Sequence, residues 1–155
     1  MRIQKNDSRI SWAMLPLRLI IGGGFMAHGY AKLSKGVDGF ANILQTIGVP
    51  APFLTAWATT LIEFFGGLAI LAGAFVPFVS IPLVVIMLAA MFTVHLPFGF
   101  SSVKLAAMTA SGPQFGTVGY EVNLLYIAGL LALVLGGPSP FSFDRWLARR
   151  NNYRQ

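Results

Sequence analysis

Four long apolar stretches, roughly 11–33, 53–74, 75–96 and 120–137, occupy most of this chain and leave few folds open to it. A helix needs about 20 apolar residues to cross roughly 30 Å of hydrocarbon, and these segments have 18 to 23. The expected fold is an all-α membrane protein, a bundle of four transmembrane helices in a single domain spanning residues 1–155. Composition agrees: 55% of residues are hydrophobic and only 10% charged, where soluble domains carry about 25% charged residues.

Each stretch nonetheless holds ionisable residues. Arg18, His28 and Lys32 lie in the first, Glu63 in the second, His95 in the third and Glu121 in the fourth. A charge at the bilayer centre costs at least ~2.5–3.5 kcal/mol, so such side chains normally face one another or a wet cavity. A polar interior is therefore expected within the bundle.

The net charge of +6 has its origin in the two tails. Arg2, Lys5 and Arg9 precede the first span, and Arg145, Arg149, Arg150 and Arg154 follow the last. An excess of basic residues marks the cytoplasmic side of a membrane. Both termini are thus expected in the cytoplasm, which requires an even number of crossings, and the charge points to no nucleic-acid partner. The basic start of the first span resembles a signal peptide. Its length, Arg18 and the lack of a small-residue cleavage site argue against removal. With no cysteine in the chain, disulfide exchange, thiolate nucleophiles and thiolate-held clusters are excluded. No metal site is expected either.

Between the spans, residues 34–52 carry Gly36, Gly39, Gly48, Pro50 and Pro52 as breakers, with Phe40, Ile43, Leu44 and Ile47 at helical spacing for a short interfacial helix. Spans two and three join almost directly around Gly73, Ala74 and Pro77, so they should run antiparallel. Pro82 should kink span three or loosen its first turns. Residues 97–119 read as a Gly-, Ser- and Thr-rich outer loop, and Trp146 among arginines as an interfacial anchor.

Helical phase sorts the polar residues. At 100° per residue, Arg18, His28 and Lys32 fall within an arc of about 80°, sharing their strip with Gly22, Phe25 and Gly29. Thr59, Thr60, Gly66 and Gly67 surround Glu63, and such small residues let helices approach closely. Arg18 and Glu63 are expected to form a structural ion pair, because an unpaired buried carboxylate is costly. His28, Lys32, His95 and Glu121 fall in the outer third, where a second cluster is expected. Within it His28, His95 and Glu121, with Glu63, are the candidate catalytic groups, and His28, Lys32 and His95 the candidate cofactor contacts. Each has a plainer reading. Lys32 snorkels to the surface, Glu121 complements a helix dipole, and the ion pair only clamps two helices. His28 and His95 are the minimum for axial ligation of a b-type haem, too little to assign one. Phe and Met enrichment suits an apolar quinone pocket, and also ordinary packing.

In this order and spacing the residues match a known pattern. Arg18-Leu19, Gly22, Phe25, His28-Gly29 and Lys32-Leu33 resemble the first-helix signature of the DoxX family of small bacterial and archaeal membrane proteins. Gly48-Val49-Pro50 and Glu63 with Gly66-Gly67-Leu68-Ala69 and Leu71-Ala72-Gly73 resemble its second-helix stretch. His95, Gly119-Tyr120-Glu121 and Ser142-Phe143-Asp144 continue the match, which covers roughly 11–146. The resemblance implies a four-helix protein of the bacterial or archaeal cytoplasmic membrane. It also implies an oxidoreductase, or an accessory subunit of quinone-linked electron transfer or oxidative-stress response, with a redox partner protein. Two departures stand out: the long segment before Glu121, and the lack of cysteine, which rules out carrying over a thiol-dependent activity.

Two function classes follow. In one, a quinone binds between the helices and His28, Glu63, His95 and Glu121 handle its protons; a general acid or base works best with a pKa near the operating pH. In the other, the protein is a membrane anchor or assembly subunit whose buried charges only specify helix packing. A small carrier fits less well, since transporters usually show repeats and interrupted helices.

Overall fold

The computed structural model describes residues 2–152, with the side chains of 2–9, 148, 151 and 152 outside the description. Arg154 and the side chains of Arg2, Lys5 and Arg9 therefore lie outside it. The order of elements is α1 (Arg2–Lys35), α2 (Val37–Thr46), α3 (Pro52–Ala72), α4 (Val76–Ala90), a two-stranded hairpin β1 (Leu105–Thr109) and β2 (Gly112–Phe115), α5 (Glu121–Gly136) and α6 (Phe143–Asn152). The N-terminal tail and first span form one helix. Its 34 residues make it about 51 Å long at 1.5 Å per residue.

Three helical stretches are long and apolar enough to cross a bilayer: Ile10–Lys35, Pro52–Ala72 and Val76–Phe98. α5 is apolar but shorter, at 16 residues. Large hydrophobic side chains such as Ile20, Leu54, Phe78, Ile81, Leu125 and Leu135 are exposed. In water such a surface would drive association; in lipid it is the expected solvent face.

α1 lies against α3 and α5, and α4 against the same two helices. Glycine sets the closest approach. A Cβ on Gly22 would stand 2.7 Å from the Leu71 amide, one on Gly29 2.5 Å from that of Phe64, and Gly67 faces Met26 just as tightly. The two backbones are in contact, as small residues permit in membrane helices. Phe25, Ile70, Leu83 and Leu130, one from each helix, are fully buried at the centre.

The α3–α4 turn is sharp because Gly73 adopts φ +64°, and the Ala74 amide donates back to Ala69, a glycine-terminated helix end. Phe75 then takes a left-handed conformation and offers α4 no side-chain cap. The cap comes from far along the chain: Asp144 Oδ1 and Oδ2 accept from the amides of Phe75 and Val76 at 2.8 and 3.2 Å. The Asp144 amide in turn donates to the Gly73 carbonyl at 3.0 Å.

Several expectations are corrected. Residues 97–119 are not all loop, since β1 and β2 pair antiparallel with Thr109 opposite Gly112. All five β1 residues are exposed, so no alternation of burial marked the strand in the sequence. α2 forms as expected, but its buried face is Val37, Ala41 and Leu44, leaving Ile43 and Ile47 exposed. α4 remains helical through Pro82; the departure from α geometry comes later, as a π turn at Met91–His95 and a 3-10 turn at Leu96–Phe98.

Candidate functional site

Glu63 is 3% exposed and forms a salt bridge with Lys32, not with Arg18. The correction follows from the register of α1 against α3. Gly22 sits against Leu71 and Gly29 against Phe64, so Glu63 is level with the turn before Lys32. Arg18 lies eleven residues from Gly29, roughly 16 Å along the axis, beyond its side chain's reach. Helical phase puts Arg18 and Glu63 on facing strips but does not fix this register.

Lys32 does more than snorkel. Its Nζ reaches inward to Glu63 and lies 4.4 Å from the centre of the Phe40 ring of α2. Its stem thus joins α2 to the α1–α3 seam. Thr60, one turn before Glu63, is fully buried and donates to the Ala56 carbonyl at 2.7 Å. The carboxylate–ammonium pair is consequently enclosed by packed backbone on one side and by the short α2 on the other.

The other expected members of the outer cluster take separate partners. His28 is exposed, its ring 6.1 Å from that of Tyr126 on α5 at 67°. Tyr126 also stands edge-on to Phe25 at 4.9 Å, and its hydroxyl lies over Gly24, where any Cβ would collide with it. His95, at the end of the π turn, makes a 2.9 Å hydrogen bond between Nδ1 and the Val118 carbonyl. Glu121 Oε2 accepts from the Ser102 amide at 2.9 Å. Amides 119, 120 and 121 donate to the carbonyls of Ser101, Gly99 and Phe100. His95 and Glu121 therefore tie down the two ends of the hairpin segment.

Sequence reasoning missed Tyr126, Ser139, Ser142 and Asp144 as structural participants at sites. Arg18, 5% exposed, donates from Nη1 to Ser139 Oγ at 2.6 Å and from Nη2 to the Phe141 carbonyl at 3.4 Å. Ser142 packs on Gly73 and accepts from the Arg145 amide at 3.2 Å, capping α6. The signal was present in Ser142-Phe143-Asp144, which the sequence reading treated as a landmark without a role. Trp146 is half exposed and stacks on Phe143 at 5.5 Å.

The α1–α3 glycine seam with Lys32 and Glu63 upon it falls inside the stretch that the DoxX family model matches, residues 13–96, just over half of the chain. The chain belongs to the DoxX family. The match runs from α1 through the π turn and includes Arg18, His28, Lys32, Glu63 and His95. Glu121 and Ser142-Phe143-Asp144 lie beyond it. Neither the curated proteins nor the solved structures compared include a match to the chain. As a DoxX protein with several apolar helices, it is a multi-pass membrane protein whose surroundings are a lipid bilayer.

Proposed function

We propose that this DoxX protein serves quinone-linked electron transfer as a small membrane subunit, with Lys32 and Glu63 exchanging protons for a redox partner protein that supplies the electrons. The observation that supports this reading is the Lys32–Glu63 pair itself. Among the described residues, the carboxylate held between α1 and α3 has one cation for a partner, and that cation keeps contact with the surface through a side chain 22% exposed. Such a pair can release or take up a proton without moving a helix.

The side chains nearby suit a quinone in kind. Lys32 offers an ammonium donor, Tyr126 a hydroxyl, His28 a ring nitrogen on the exposed side, and Phe25 an apolar neighbour. A bound quinone would supply a two-electron acceptor that consumes protons on reduction. Lys32 and Glu63 would hold those protons, and His28 would pass them at the surface. His95 and Glu121 act in this reading as positioning residues that hold the hairpin segment over the outer ends of the helices.

α5 makes the fourth crossing. Its buried face carries Leu130 and Leu133, while Leu125, Leu131 and Leu135 point outward as apolar residues suited only to lipid. At roughly 24 Å it is shorter than the hydrocarbon layer, a mismatch that local thinning accommodates at modest cost. Four crossings with basic tails support a topology with both termini in the cytoplasm, in the cytoplasmic membrane of a bacterial or archaeal cell as proposed.

Because among the described residues His95 and Glu121 bond only to backbone, a second reading has specific support: the polar groups choose one helix packing and the protein is an assembly subunit. Organic extraction of the purified protein separates the two. The redox reading expects quinone at close to one equivalent in the wild type and at least a tenfold loss in Glu63→Gln that still inserts and purifies with unchanged α-helical content. A wild type free of quinone, or equal content in both, favours the packing reading.

A further inference from the structure

At the end of the bundle away from Lys32, a cavity of about 260 Å³ opens between Arg18, the α3–α4 turn, the last turn of α5 and the α5–α6 loop. We propose that it binds the singly charged oxyanion head group of a membrane amphiphile, a phosphodiester or a carboxylate, with the start of the apolar chain. The inference does not depend on the quinone-linked reading.

Charge carries the argument. Arg18 is buried, 5% exposed as a residue, and its guanidinium's partners are a serine hydroxyl and a carbonyl, both neutral. Among the described residues no carboxylate lies within salt-bridge distance of it, and its buried Nε has no hydrogen-bond acceptor. A buried cation without a counter-ion is strongly unfavourable, and an orphaned donor adds a desolvation cost. The carbonyl ends of α3 and α5 meet here and favour a cation. That accounts for an arginine, but not for the open cavity that Arg18 lines.

The remaining walls define the ligand. Asp144 also lines the cavity, yet its oxygens are engaged by the Phe75 and Val76 amides. Its charge stabilises the start of α4, makes no direct pair with Arg18, and disfavours multiply charged guests. Val76, Leu133 and Val134 form an apolar floor, and the exposed Phe75 and Phe78 stand at the rim. An oxyanion at Arg18 can therefore carry a hydrocarbon chain out along Phe78. The volume is below the ~300 Å³ at which pockets usually enclose whole small ligands, which suits a head group and its first methylenes. Its level suits lipid too, for Gly73 and Gly137 end α3 and α5 at its edge.

Native mass spectrometry of the protein released from vesicles of equal phosphatidylglycerol and phosphatidylcholine tests the proposal. Separate arms add oleate or inorganic phosphate. The wild type should retain phosphatidylglycerol at least tenfold over phosphatidylcholine; oleate should compete, and millimolar phosphate should not. Arg18→Gln should abolish the preference. Val134→Trp, which fills the cavity and leaves the guanidinium in place, should do the same with α-helical content unchanged. Equal retention of the two lipids by the wild type overturns the proposal, whatever the variants do. So does unaltered selectivity in Val134→Trp. Displacement by phosphate alone would show a site for a soluble anion and overturn the amphiphile.

Discussion

Removing Glu63 leaves Lys32 reaching into the α1–α3 seam with nothing to pair with, while Arg18 keeps its own partners roughly 16 Å away along the axis. Breaking a buried ion pair from one side costs ~3–5 kcal/mol. Lys32 can retreat toward the surface along its flexible stem, so Glu63→Gln should fall at the lower end of that range. Lys32→Met with Glu63→Leu should recover much of the loss, and a double-mutant cycle in detergent unfolding should give a coupling of about 1–3 kcal/mol. The same cycle between Arg18 and Glu63 should be additive. Strong Arg18–Glu63 coupling would contradict the assigned register. At this scale the residue types were legible in the sequence, because helical phase alone puts Lys32 and Glu63 on facing strips. Their pairing was not, because it depends on the sliding register of two helices, which is set by backbone contact at Gly22, Gly29 and Gly67.

At the scale of the element, the α1–α3 seam is the most sharply defined interface. Gly22 has no room for a side chain, whereas a Cβ on Gly23, its neighbour, would meet nothing within 4 Å. Gly22→Leu should therefore destabilise by at least the ~1–3 kcal/mol typical of overpacking, measured by thermal unfolding in detergent. Gly23→Leu should change stability by less than about 0.5 kcal/mol. Equal effects would mean that the helices do not meet along this line. The long apolar helices were readable from hydropathy and the short α2 from its period. The hairpin was not: both faces are exposed, so burial leaves no alternating pattern, and only Ser111-Gly112 hints at the turn. Capping of α4 by Asp144 was equally hidden, since the capping residue follows its helix by more than fifty positions.

The whole molecule has two chemically different ends. One carries the Lys32–Glu63 pair, α2 and the hairpin; the other carries Arg18, the α5–α6 loop and the basic α6. With α5 as a fourth crossing, single cysteines introduced at Ser111 and at Arg150 should react with a membrane-impermeant maleimide from opposite sides. Labelling of both from outside intact cells would rule out four crossings. The most direct test of the central claim is redox-difference infrared spectroscopy of the purified protein reconstituted with quinone, because it reads carboxyl protonation at the site itself. If Glu63 exchanges protons with the redox partner's chemistry, reducing the quinone should produce a carboxyl carbonyl difference band that disappears in Glu63→Gln and persists in Asp144→Asn. A difference spectrum without that band, or with the band unchanged in Glu63→Gln, would contradict the account.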